Sequence, residues 1–83
     1  MKHTVVALVE DRPGVLNRVA SLFRRRGFNI DSLAVGTTEE SGISRMTIVL
    51  DGADGIVQQV ERQLYKLIDV VKVSDVTKAE AVS

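Results

Sequence analysis

Apolar and polar residues follow two different periods along this chain, and the period predicts which segments are strands and which are helices. Residues 4–9 (TVVALV) form an apolar, β-branched run that ends in the turn-prone residues 10–14 (EDRPG), which predicts a strand and its exit loop. From Val15 the apolar residues recur at helical spacing. We therefore expect a helix that begins beside Pro13 and ends at Gly27, with arginines in its last turn.

The rest of the chain predicts two strands joined by a polar hairpin loop, then a second amphipathic helix and a final strand. These elements are expected at residues 28–38, 43–50, 56–67 and 70–76. The turn before the second helix contains Asp51 and Asp54, which are suited to cap that helix. Residues 78–83 are expected to form a flexible tail.

The order of elements, β-α-β-β-α-β, is that of the ferredoxin-like α+β fold. We expect one domain over residues 1–77, with two helices on one face of a four-stranded antiparallel sheet. The first strand is apolar on both faces, since Val6 and Leu8 alternate with the apolar residues of the other face. An open sheet covered on one side should be more polar on the other. We therefore expect a partner chain or a second sheet to cover this second face, unless the ends of the helices extend over it.

Composition narrows the classes of function. The 83 residues include 11 basic residues, 11 acidic residues and no cysteine. A net charge of zero argues against binding to nucleic acid or to an anionic membrane. The missing thiols exclude disulfides, thiol catalysis and zinc–thiolate sites. Neither a signal peptide nor an apolar run of membrane-spanning length is visible, so we expect a soluble, cytoplasmic protein.

Candidate residues for catalysis are few. His3 is the only histidine, and a lone histidine so near a chain end is expected at the surface. No serine or acid is placed to form a relay with it. The fold also occurs in RNA-recognition modules, but the two phenylalanines and one tyrosine here do not provide their base-stacking motif. The sequence therefore predicts a chain that is not itself an enzyme.

The exit loop carries the most informative chemistry. Backbone N–H groups at a helix N-terminus favour a carboxylate, and Gly14 lets a ligand approach the backbone closely. Asp11 can accept hydrogen bonds from an ammonium group. This combination suits a zwitterionic amino acid, but a plain turn with a helix start would use the same residue types.

A second polar group follows Gly27. The Asn29 side chain can both donate and accept hydrogen bonds, so it can hold a carboxylate or an amine. Asp31 lies two residues further along the chain. By themselves, these residues are equally typical of a polar entry into a strand.

Four sequence blocks carry a resemblance to a known family. Residues 11–16 (DRPGVL) resemble the ligand loop of ACT domains, which are amino-acid-sensing modules of the ferredoxin-like fold. The other three resemble the regulatory (small) subunit of acetolactate synthase, also called acetohydroxyacid synthase. They are residues 24–36 (RRRGFNIDSLAVG), 44–49 (SRMTIV) and 63–70 (QLYKLIDV). Together the blocks span nearly the whole chain.

The resemblance implies a cytoplasmic, non-catalytic regulator of branched-chain amino acid biosynthesis. In that family the small subunit binds the catalytic subunit, raises its activity and confers feedback inhibition, chiefly by valine. Thiamine diphosphate, FAD and magnesium belong to the catalytic partner, so no cofactor and no metal is expected in this chain. Typical bacterial small subunits carry a second domain after the ACT domain, and it is expected to be absent here.

The family's effector sites lie between the two ACT domains of a homodimer. Carried over to this sequence, the effector site joins residues of one chain to residues of the other: Asp11, Gly14, Val15 and Leu16 facing Asn29 and Ile30. The expected effector is valine or another branched-chain amino acid. The residues do not decide among these amino acids, because one methylene in an apolar pocket changes the free energy of binding by only about 1–3 kcal/mol. Two alternatives stay open: an ACT-type module that regulates another enzyme, or a module that only joins two chains.

Overall fold

The structure is a computed structural model that describes residues 1–77. It contains six elements: β1 Lys2–Glu10, α1 Val15–Arg26, β2 Asn29–Thr37, β3 Ile43–Asp51, α2 Ile56–Leu64 and β4 Val70–Asp75. The predicted order of elements is confirmed. The tail expected at residues 78–83 lies outside the described residues.

The four strands form one antiparallel sheet in the order β2-β3-β1-β4, so β2 and β4 are its edges. β1 and β3 pair without a break from Lys2 opposite Asp51 to Glu10 opposite Ile43. The β2–β3 register shifts once, which leaves Asp31 outside the ladder of paired residues. A second shift lies near the end of β1, where that strand pairs with β4.

One hydrophobic core lies between the sheet and the two helices. β1 contributes Val5, Ala7 and Val9, each no more than 2% exposed. Both helices turn an apolar stripe toward the strands, because their apolar residues recur every three or four positions. The core residues from the helices are Val15, Val19, Leu22, Phe23, Val57, Val60 and Leu64. Both helices therefore cover the same face of the sheet, as predicted.

Each helix begins at a glycine in the left-handed conformation. Gly14 has φ 84° and Gly55 has φ 96°. The prediction that Asp51 or Asp54 caps α2 is wrong, because Gly55 occupies the N-cap position and Asp51 forms an ion pair with the terminal ammonium group. Gly27 ends α1 as predicted, with φ 70°.

The second helix is shorter than predicted. It ends at Leu64, and the backbone continues in turns in which the N–H groups of Lys66 and Leu67 donate to carbonyl oxygens three residues earlier. Leu67 still packs against the core, which explains why its spacing matched that of a helix. The Tyr65 hydroxyl group accepts a hydrogen bond from the Val73 N–H at 2.8 Å and so ties the end of α2 to β4.

The expectation that His3 lies at the surface is wrong. β1 begins at Lys2, so His3 is part of the strand and shares its core face with Val5. It is 8% exposed, and its Nε2 atom lies 3.3 Å from the Gly52 carbonyl oxygen. The buried ring therefore has a polar contact inside the fold.

The opposite face of the sheet carries Val6 and Leu8, and both are half-buried. The covering of this face by a partner chain or a second sheet stays a prediction. Within residues 1–77, neither helix has the length and apolar character that crossing a membrane requires. The same residues hold no group of three or more potential metal ligands from His, Cys, Asp or Glu.

Leu64 and Ile68 offer a matched test of the core, since Leu64 is fully buried and Ile68 is 88% exposed. Leu64→Ala is expected to lower the free energy of unfolding by about 2–5 kcal/mol, because it deletes buried methyl groups and leaves a cavity. Ile68→Ala is expected to change it by less than about 0.5 kcal/mol. Urea unfolding at one fixed protein concentration measures both values, and equal losses would contradict this assignment of the core.

Candidate functional site

A cavity of about 240 Å³ lies where the end of β1 meets the start of α1. The exit loop forms one wall, and the end of β2 with the start of β3 forms another. The walls are mainly apolar, with a few polar groups from the loop. The lining residues are Val9, Glu10, Asp11, Arg12, Gly14, Val15, Leu16, Val35, Ser44 and Met46. A cavity of this size fits a small ligand rather than a drug-sized one.

Backbone hydrogen bonds hold the exit loop from two sides. The Asp11 N–H donates to the Gly42 carbonyl oxygen at 2.8 Å, which ties the loop to the β2–β3 hairpin. The Glu10 N–H donates to the Asp69 carbonyl oxygen at 2.8 Å, which ties the loop to the turn before β4. Two segments that are distant in the chain therefore position the loop.

Gly14 turns the exit loop into α1. Its φ of 84° lies in the left-handed region, which a residue with a Cβ adopts only with strain. Its carbonyl oxygen accepts the first helical hydrogen bond, from the Arg18 N–H at 3.0 Å. No side chain of residues 1–77 caps this end of α1. The partial positive charge of the helix N-terminus is therefore available to a ligand in the cavity.

The exit loop also brings charges of both signs to the cavity. Arg12 Nη2 lies 2.7 Å from Glu10 Oε2, so these two side chains form an ion pair, and Asp11 is exposed beside them. A ligand with an ammonium and a carboxylate group can bind the acidic side chains through one and the helix N-terminus or Arg12 through the other. The apolar walls suit an aliphatic side chain on the same ligand.

The structure brings four of the six predicted site residues together in this cavity: Asp11, Gly14, Val15 and Leu16. Asn29 and Ile30 instead lie at the start of β2, where they line a separate depression with Phe28 and Leu33. An extended strand rises about 3.4 Å per residue, so Ile30 and Val35 are roughly 17 Å apart along β2. Within one chain the two groups therefore do not form one site.

Asp31 is engaged elsewhere. It lies at the irregularity in β2, and its carboxylate accepts a hydrogen bond from Lys2 of β1. This contact raises the pKa of Lys2. Asp31 is not among the residues that line the cavity.

Sequence reasoning missed six lining residues: Val9, Glu10, Arg12, Val35, Ser44 and Met46. The two charged residues flank Asp11 in the exit loop and could have been found there. The strand residues come to line the cavity because the strands pair. Val35, for example, lies opposite Met46 in the β2–β3 ladder. The hydrophobic pattern indicates the face on which each strand residue lies, but it does not name the residue opposite, so these residues were not identified from the sequence.

The cavity is open on one side, where two apolar residues are exposed. Leu16 is 47% exposed and Val35 is 53% exposed, although both contribute apolar groups to its walls. Large apolar side chains exposed together at the edge of a cavity are typical of a surface that another molecule covers.

Comparison with known families decides the class of this domain. The family model of the AHAS small subunit-like ACT domain, where AHAS is acetohydroxyacid (acetolactate) synthase, matches residues 6–72. The chain belongs to this family. The matched range includes the exit loop, α1 and the edge strand β2, so it covers every predicted site residue of the ACT domain.

Two relatives are named as small subunits of acetolactate synthase. The probable acetolactate synthase small subunit of Archaeoglobus fulgidus is 63% identical over 79 residues, which make up 95% of this chain and 50% of that protein. The acetolactate synthase small subunit of Mycolicibacterium smegmatis is 56% identical over 81 residues, or 98% of this chain and 48% of that protein. The chain therefore spans about half the length of these relatives.

Solved structures agree with the fold. The crystal structure of the acetolactate synthase small subunit from Thermotoga maritima matches with a TM-score of 0.88 at 49% identity, covering 90% of this chain and 47% of that chain. The ACT domain from GTP pyrophosphokinase of Chlorobium tepidum matches with a TM-score of 0.75 at 16% identity, covering 90% of this chain and 84% of that one. The second match supports the fold alone.

Proposed function

We propose that this ACT domain is the effector-binding part of a regulatory subunit of acetolactate synthase. It binds valine, or another branched-chain amino acid, between two copies of the chain. The observation that carries the proposal is the small apolar cavity beside the uncapped start of α1, with acidic and basic groups at its edge. The names of the relatives support the assignment to acetolactate synthase.

Pairing of two chains through the edge strand β2 would bring the two groups of predicted residues together. The first group lies in and after the exit loop, and the second is Asn29 and Ile30. Among residues 1–77, β2 pairs only with β3, which leaves its outer edge to a second chain. When two such strands pair antiparallel across a two-fold axis, the start of one lies beside the end of the other. Asn29 and Ile30 of one copy then lie near Val35 of the second copy, at the open side of its cavity.

The chemistry of such a shared site matches a branched-chain amino acid. The helix N-terminus and the Asn29 amide group hold the α-carboxylate, and Asp11 accepts hydrogen bonds from the ammonium group. Val15, Leu16 and Ile30 enclose the aliphatic side chain. Burial of a valine side chain contributes roughly 1.5–3 kcal/mol.

The regulatory role follows from where the amino acid lies. A ligand shared by two chains stabilises the dimer arrangement in which both sets of contacts form, and it acts only through its difference in affinity for the two arrangements. A bound catalytic subunit that prefers one arrangement then responds to valine. In this role the chain confers feedback control on branched-chain amino acid biosynthesis and catalyses no reaction itself.

Calorimetric titration of the purified chain tests the effector site directly. Valine is expected to bind saturably, near one molecule per chain or one per two chains. Leucine and isoleucine are expected to bind within about two orders of magnitude of valine, because one methylene in an apolar pocket is worth about 1–3 kcal/mol. D-valine serves as the control ligand, since it presents the same groups in the wrong arrangement. Absence of binding by all three L-amino acids at two temperatures would contradict the site.

Gly14→Asp is expected to abolish valine binding, because a Cβ at this positive φ strains the turn into α1 and would lie 3.1 Å from Arg18 Nη1, which displaces the helix start proposed to hold the carboxylate. Gly27→Asp is the matched control: Gly27 also has positive φ and flanks α1, but a Cβ there would meet no atom within 4 Å. Both substitutions place a Cβ on a backbone with positive φ, so the control also includes the cost of a left-handed conformation. Equal valine affinity in the two variants would place the effector elsewhere.

The assignment to acetolactate synthase has its own test. An acetolactate synthase catalytic subunit from the same organism is expected to co-elute with the chain in size-exclusion chromatography and to form acetolactate faster in its presence. Valine binding without co-elution or any change in rate would contradict the subunit assignment. The chain would then be an ACT-type module that regulates another enzyme.

A further inference from the structure

Arg18 and Asp69 form an ion pair that joins α1 to the turn before β4. The Nε and Nη2 atoms of Arg18 lie 2.8 Å and 2.6 Å from Asp69 Oδ2. The Asp69 side chain is 5% exposed and that of Arg18 is 46% exposed. A carboxylate so far withdrawn from water needs a compensating charge, which this guanidinium supplies.

Asp69 reaches both ends of the exit loop. Its carbonyl oxygen accepts the hydrogen bond from the Glu10 N–H at the first residue of the loop. Its carboxylate reaches the last residue through Arg18, whose N–H donates to the Gly14 carbonyl oxygen at 3.0 Å. The Arg18 Nη1 atom also lies 3.1 Å from the position that a Cβ on Gly14 would occupy. The guanidinium thus packs against the residue that turns the loop into α1.

We infer that Asp69 and Arg18 are positioning residues of the effector site, which set the geometry of the exit loop without touching the amino acid. Neither residue lines the cavity, whereas both Glu10 and Gly14 do. The inference rests on the proposed function, since it concerns the same site. Loss of the ion pair loosens the loop and weakens binding of the amino acid.

Two substitutions disrupt the ion pair in different ways, one keeping the charge and the other keeping the shape of the side chain. Two guanidinium nitrogens bind one carboxylate oxygen, an arrangement that the ammonium group of lysine does not reproduce. Arg18→Lys therefore keeps the positive charge and loses the paired hydrogen bonds of the guanidinium group. Asp69→Asn keeps the shape of the side chain and loses the negative charge.

Amide hydrogen exchange of the ligand-free protein tests whether the pair acts on the loop. Exchange is compared at the Asp11 N–H, in the loop, and at the Val60 N–H, in the middle of α2. In Asp69→Asn and in Arg18→Lys, exchange at Asp11 is expected to accelerate about tenfold more than at Val60, because the loop opens locally. Equal acceleration at the two amides would mean general destabilisation and would overturn the positioning role.

Calorimetric titration with valine supplies the second readout. Arg25→Gln, which changes another exposed arginine of α1, is the control and is expected to bind like the wild type. Asp69→Asn and Arg18→Lys are expected to bind valine about tenfold more weakly. A loosened loop with unchanged valine affinity would overturn the inference. Absence of binding by the wild type would refute the proposed function instead, and the exchange rates would still decide whether the pair positions the loop.

Discussion

β1 is the strand on which the arrangement of the cavity depends. It is paired on both sides, and its residues that face the helices, such as Val5 and Ala7, are completely buried. Because alternate side chains of a strand point to opposite faces, this burial fixes the face that α1 must cover. The chain therefore has to reverse over that face between Glu10 and Val15. The cavity lies in the reversal, where the strand end, the exit loop and the helix start converge.

The reversal depends on one backbone conformation, and two effects reserve it for Gly14. A left-handed conformation costs a residue with a Cβ roughly 1–2 kcal/mol. A Cβ would also lie 3.1 Å from the Arg18 guanidinium, which Asp69 holds in place. The ion pair therefore strengthens the requirement for glycine at the point where the proposed ligand approaches the backbone. Through these contacts, the turn before β4 contributes to the shape of a site that it does not line.

Periodicity in the sequence was sufficient for the fold, and the sequence also indicated four of the ten residues that line the cavity; physical reasons explain the rest. The helices and strands each span several repeats of their period, so their types could be predicted. The exit loop could be found because Asp11 and Gly14 carry local chemistry. The contribution of Val35 depends on strand register, and the contact of Arg18 with Asp69 joins residues 51 positions apart. Neither has a local signal, because both arise only when the chain is folded.

The open side of the cavity bears directly on the proposed regulation. An aliphatic side chain gains its roughly 1.5–3 kcal/mol only when it is removed from water, and Leu16 and Val35 leave one side of the cavity exposed. In the proposed dimer the second copy closes that side, so the affinity for valine depends on how the two chains are arranged. A difference of about 1.4 kcal/mol corresponds to a tenfold change in affinity. Because such coupling is reciprocal, valine in the proposed site would shift the arrangement of the proposed dimer by the same factor, and a bound catalytic subunit could respond to that arrangement.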